Sequence, residues 1–176
     1  DKEVPEAART LLESNVKDEI KHDLALGFIV ESHGADPIAE MEAIRLRDAW
    51  IQHPDHTILK ALVAERAIFF VLLPMFRFLG DAALRTVSAD ISRDEQIHVA
   101  TNSLVCRELG LVPSNSLDKL RKATIAWVLN PLKTSPDKYL DKSFWLDASD
   151  RLMYEGKAPQ FADTKAARMP AFFEHA

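Results

Sequence analysis

Residues 81–110 read DAALRTVSADISRDEQIHVATNSLVCRELG. Gly110 is the residue type that most readily ends a helix, and no Pro or Gly lies between it and Asp81. The spacing predicts one long helix from Asp81 to Leu109, and within it stands the tetrad Glu95-Gln96-Ile97-His98, with Ile91, Ile97 and Leu104 nearby. Residues three apart on an α-helix are separated by about 60° around the axis and one turn along it, so this carboxylate and imidazole can meet at one point. A second tetrad of the same kind, Glu19-Ile20-Lys21-His22, stands near the N-terminus. Random placement of 12 Glu and 6 His among 176 residues gives fewer than one such pair.

The same punctuation extends outward from this helix. Leu12, Val16, Ile20, Leu24, Phe28 and Ile29 recur at helical spacing from Glu6 to about His33, where Gly34 supplies a stop. Asp36-Pro37 starts a short helix to about Gln52, with Ile38, Met41, Ile44 and Ile51 on one face. A long helix is expected from Thr57 to Leu79, ended by Gly80 and kinked at Pro74, and another from Leu117 to Leu129 after the Pro113–Ser116 loop. No stretch alternates with the period of a half-buried strand. The expectation is an all-α bundle of four or more helices forming a single domain over residues 1–176, with core helices at about 6–130 and an irregular helical segment at 131–176.

Composition narrows the function. A net charge of −5 argues against a duplex nucleic-acid surface, and the lone Cys106 excludes an internal disulfide framework and a multi-cysteine metal site. Residues 67–76 (AIFFVLLPMF) are bracketed by Arg66 and Arg77 and are about half as long as a membrane-spanning helix requires. The N-terminus has no hydrophobic signal stretch, and the chain begins at Asp1 instead of Met, which leaves room for residues ahead of it in the gene product. A cytoplasmic protein with a small-molecule or metal site fits these facts.

Glu65 lies in the most apolar helix, in LVAERAIFFVLL, where a lone carboxylate is costly to bury. Either it pairs with Arg66 or an arginine of another helix, or it binds a metal ion. Two Glu-x-x-His helices joined by single-Glu helices are the ligand pattern of di-iron and di-manganese bundles.

The segment Ile91-Ser92-Arg93-Asp94-Glu95-Gln96-Ile97-His98 resembles the I-x-R-D-E-x-x-H signature of the small, metal-bearing subunit of class I ribonucleotide reductase. Glu65 followed by Ile68, Phe69 and Phe70 looks like that family's single-Glu helix, and the 30 residues from Glu65 to Glu95 are close to its interval. The resemblance covers about residues 10–110. It implies that Glu19, His22, Glu65, Glu95 and His98 are ligands of two metal ions, iron or mixed manganese and iron. It implies further that Asp94 orients a ligand histidine; the other reading of Asp94 is a surface partner for Arg93 or a lysine. The implied chemistry is O2 activation that supplies an oxidising equivalent for deoxyribonucleotide synthesis. The implied partners are a second copy in a homodimer and the large catalytic subunit, docked through the C-terminus.

The chain departs from that pattern in three ways. The family's first carboxylate lies about thirty residues before its first Glu-x-x-His, and counting back from Glu19 runs off the chain. Glu13 points to another face of its helix, and Glu40, Glu42 and Asp48 are the remaining stand-ins, so that ligand either precedes Asp1 or is absent. The position of the family's radical tyrosine holds Leu26; the tyrosines present are Tyr139 and Tyr154, and Tyr154 is a candidate electron relay. The chain is also about half the family's usual length. Its aromatic end, Met169 to Ala176, either docks on a partner or folds back through Phe172 and Phe173. A stand-alone di-iron oxidase or oxygenase, favoured by the room Leu26 leaves, an iron-storage protein and a non-catalytic member of the fold are the other readings.

Overall fold

The computed structural model describes residues 4–156. Those residues form an all-α bundle: α1 (Glu6–His33), α2 (Pro37–Gln52), α3 (Thr57–Ala64), a π-helical turn (Glu65–Phe69), α4 (Phe70–Leu79), α5 (Ala82–Glu108), α6 (Asn115–Val128) and α7 (Lys142–Tyr154). Among them there is no strand, and no helix is long and apolar enough to cross a membrane.

The helix boundaries follow local chemistry. The Asp36, Asp81, Ser114 and Asp141 side chains accept hydrogen bonds from backbone N–H groups two or three residues on, each acting as an N-cap. α5 ends in a Schellman turn: Leu111 N–H donates to Cys106 O at 2.8 Å and Gly110 N–H to Arg107 O at 3.1 Å, with Gly110 at φ 60°.

α3, the π-turn and α4 form one continuous helical rod. Its departure from α geometry lies one turn upstream of the expected kink at Pro74. A proline clashes with the carbonyl four residues earlier, here that of Phe70. Phe70 has ψ −1°, which swings that carbonyl away, and its N–H bonds back to Glu65 O across five residues. The Ser149 hydroxyl of α7 donates to Ala67 O at 2.6 Å and so satisfies a carbonyl within the π-turn.

One core cluster joins Ile68, Val71, Met75, Ile125, Leu129, Trp145, Ala148 and Leu152; a second joins Leu59, Leu62, Val63, Cys106 and Leu117. α7 belongs to this core although the sequence around it is rich in turn markers. Trp145 is fully buried, its indole N–H donating to Tyr139 O at 2.9 Å, and burial of such a side chain is worth up to roughly 4–6 kcal/mol.

α1 packs on α5 with the face its apolar spacing does not mark. Val16, Ile20, Leu24 and Phe28 are at least 60% exposed, while Asn15 and His22 are buried. α2 packs against α6 and has no buried residue; Ile38, Met41, Ile44 and Ile51 face outward. Phe172, Phe173 and the C-terminal docking segment lie outside the described residues.

Candidate metal centre

The inward face of α1 supplies Asp18, Glu19 and His22. The facing side of α5 supplies Asp94, Glu95, His98 and Asn102, and the π-turn brings in Glu65. Glu95 and His98 are fully buried, and Glu65 and His22 nearly so. π-turns recur at functional sites because the inserted residue re-aims side chains, and here the re-aimed turn begins at Glu65.

Glu19 and Glu95 each face both imidazoles. Glu19 Oε2 is 3.5 Å from His22 Nδ1, and Glu19 Oε1 is 3.1 Å from His98 Nδ1. Glu95 Oε1 is 3.4 Å from His22 Nδ1, and Glu95 Oε2 is 3.6 Å from His98 Nδ1. The ring centroids are 5.9 Å apart. Two carboxylates thus span two nitrogens, each with one oxygen toward either side.

Most of these separations are too long for hydrogen bonds. His22 Nδ1 and both Glu95 oxygens are buried without a hydrogen-bond partner, as is His98 Nε2. Such orphaned groups are expensive to bury. Donor atoms bonded at about 2.1 Å to one cation sit about 3.0–3.4 Å from each other, close to the spacing found. Glu19, Glu65, Glu95 and His98 offer ligand atoms that all lie within 4.8 Å of one another. This cluster can hold a metal ion, and the imidazole and carboxylate donors suit Mn, Fe or Zn.

The supporting shell is partly two-fold. His22 Nε2 is hydrogen-bonded to Asp94 Oδ2 at 3.0 Å, so Asp94 of α5 reaches the histidine of α1. In the mirrored position, Asp18 Oδ2 of α1 lies 3.6 Å from His98 Nε2 of α5. Held through Nε2 by Asp94, the His22 ring turns Nδ1 toward the two carboxylates. Asn102 donates to both Glu65 oxygens, at 3.1 and 2.8 Å. Among the described residues no basic side chain pairs with Glu65, and Arg66 lines a different cavity. Asp18 and Asn102 escaped the sequence reading. Their signals were the Asp that precedes Glu in both tetrads and the Asn one helical turn after His98.

Electrostatics follow from the crowding. Burial pushes the Glu65 carboxyl up to about 7, partly countered by the Asn102 hydrogen bond and reinforced by Glu95. Burial would lower His98, but the Glu19 and Glu95 carboxylates outweigh it and raise the imidazole to about 10. Glu19 is lowered, because its bond to His98 and the charge of His22 outweigh its own desolvation. Without metal, His98 therefore carries a proton where a cation would sit.

The other sequence candidates fall elsewhere. Glu13 and Glu40 are exposed, Glu42 pairs with Arg45 at 2.6 Å, and Asp48 pairs with Arg47 at 2.8 Å, so none joins the cluster. Among the described residues the His22 side has only Glu19 and Glu95 beside the imidazole. Leu26, one turn beyond His22, lines a cleft of about 230 Å³ with Phe69, Leu72, Phe76 and Ile91, and Glu19, His22 and Glu95 also border it. Tyr154 is exposed on α7, donating to Asp118 Oδ2 at 2.6 Å. From there Asp118, the buried Arg121 and Ser149 lead by hydrogen bonds to Ala67 O of the π-turn.

Comparison with protein-family models, with curated proteins and with solved structures finds no match to this chain.

Proposed function

We propose that this chain is a ferritin-like di-metal carboxylate protein of the ribonucleotide reductase small-subunit type, an oxidoreductase component that works with O2. The observation that carries the reading is the pair Glu19 and Glu95, each directing one oxygen to His22 Nδ1 and the other to His98 Nδ1. In this reading Glu19 and Glu95, together with Glu65, His98 and His22, would hold two ions, Fe or Mn with Fe. Glu65 and His98 complete one subsite, and His22 marks the other. The bound ions supply the reduction of O2 and, with Leu26 in place of a tyrosine, the store of the oxidising equivalent.

The chain's residues have the remaining tasks. Asp94 fixes the His22 tautomer, placing the proton on Nε2 and leaving the Nδ1 lone pair toward the carboxylates. Glu65, whose carboxyl is raised by burial to about 7 without metal, would lose its proton on becoming a ligand. Leu26, Phe69, Leu72 and Phe76 give the open side an apolar lining. The homodimer and the large reductase subunit, bound through residues 169–176, are the proposed partners, and the cytoplasm is the proposed compartment.

The cleft at Leu26 favours a second reading, a stand-alone oxidase or oxygenase whose apolar substrate occupies that space.

Metal content separates the outcomes. The protein is loaded anaerobically with Fe(II) and Mn(II), and metal per chain is measured for wild type and Glu65→Ala. Close to two ions per chain, reduced in the variant, supports the di-metal reading, and one ion restricts it to the Glu65 subsite. Absence of tight metal overturns both redox readings. Paramagnetic resonance after O2 exposure, and binding to a ribonucleotide reductase large subunit, then distinguish the first reading from the second.

A further inference from the structure

One turn beyond Asn102 on α5, outside the metal cluster, lies a second cavity of about 280 Å³. Leu59, Leu62, Val63 and Cys106 line it and are buried, so they form its floor; Arg66 is partly buried and Arg107 exposed, so they form its rim. The Cys106 thiol is pushed up to about 11, by burial and then by Glu65, so the floor is uncharged.

The two arginines are unusual in this molecule. Every other described arginine is hydrogen-bonded or ion-paired. On the surface Arg9 pairs with Glu6, Arg45 with Glu42, Arg47 with Asp48, Arg93 with Asp90 and Arg151 with Asp147. Arg85 donates to Gly80 O, Arg77 to Ser92, and Arg121 to Asp118 and Asp150. Among the described arginines only Arg66 and Arg107 have side chains with neither kind of partner, and both border this one cavity. Acidic residues outnumber basic ones by 27 to 22 in the chain, so carboxylates are not scarce. Gly156, at φ 66°, passes against the Arg66 guanidinium where a Cβ would not fit, which limits that side chain's freedom.

We infer that this cavity binds a small amphiphilic anion. A carboxylate or phosphate head would lie between Arg66 and Arg107, which offer planar forks of donors, and a short apolar tail would rest on Leu59, Leu62 and Val63. The volume is near the lower limit for ligand pockets and restricts the tail to a short chain or a single ring. The inference is independent of the metal reading, since none of the six residues belongs to the cluster.

The test titrates metal-free, full-length protein with octanoate, octyl phosphate, octanol and inorganic phosphate, read by methyl-resolved NMR. Octanoate or octyl phosphate is expected to shift the Leu62 and Val63 methyls saturably, the tighter of the two naming the head group. Octanol is expected to bind about tenfold more weakly, a loss of about 1.4 kcal/mol, and inorganic phosphate to leave these methyls unmoved. Arg66→Gln and Arg107→Gln should each weaken the anion about tenfold and leave octanol binding unchanged. Octanol binding as tightly as the anions, variants that bind like wild type, or shifts confined to Val16 and Leu24 on the exposed ridge of α1 would each overturn the inference.

Discussion

Replacing Glu65 by Gln should stabilise the metal-free protein and at the same time weaken its hold on metal. Glu65 is 6% exposed and its carboxyl is raised from 4.5 to about 7. A folded-state value above the unfolded one means that this group's contribution is present below about 4.5 and is lost as pH rises through about 7. At 1.36 kcal/mol per unit, the ionised carboxylate costs the fold roughly 3 kcal/mol at pH 8. The amide of Gln does not ionise. It does turn one donor toward Asn102, which now donates to both carboxyl oxygens, a mismatch of about 1 kcal/mol. The net gain at pH 8 is about 2 kcal/mol, which for a chain of this size raises Tm by about 4–8 °C. At pH 5 wild type already carries a neutral side chain there, and the gain should vanish. The assay is thermal unfolding with a chelator present at pH 5 and pH 8, repeated with Fe(II) or Mn(II) under nitrogen. Metal should raise the wild-type Tm by more than it raises the variant's. A variant less stable than wild type at pH 8 without metal, or a difference that does not change with pH, would refute the claim that desolvation strains this carboxylate.

Asp94→Asn should leave the fold intact and weaken metal binding about 10- to 100-fold, because His22 loses the partner that fixes its tautomer; competition with a chromophoric chelator measures this. Metal binding should release protons and tighten from pH 6 to pH 8, since His98, raised to about 10, and Glu65, at about 7, lose protons to the buffer when the ion binds. Calorimetry in buffers of different ionisation enthalpy reads the release, and equal heats in all of them would contradict it. Arg121→Met should cost about 3–5 kcal/mol, because the buried guanidinium joins Asp118, Asp150 and Ser149; a loss below 1 kcal/mol in urea unfolding would show that the network is incidental.

The sequence by itself determined the all-α class, the approximate boundaries of the helices before Asn130 and the two Glu-x-x-His tetrads. Caps at Asp36, Asp81 and Ser114 and stops at Gly34, Gly80 and Gly110 act through bonds spanning a few residues, so local chemistry decides them. The tertiary structure decided what those helices do with their faces. In α1 the apolar ridge Val16, Ile20, Leu24 and Phe28 reads as the buried side, yet α5 receives the polar side, because Glu19 and His22 find complementary donors in Glu95 and His98. That choice depends on a partner more than seventy residues away, which no periodicity encodes. The effect of Pro74 moved one turn upstream for a similar reason: Phe70 turns its carbonyl aside and the Ser149 hydroxyl of α7 meets that of Ala67, so the disturbance becomes the π-turn that begins at Glu65. Asp18 and Asn102 acquire their roles only when α1, α5 and the π-turn converge, since a hydrogen bond between distant residues exists only once packing has brought them within about 3 Å.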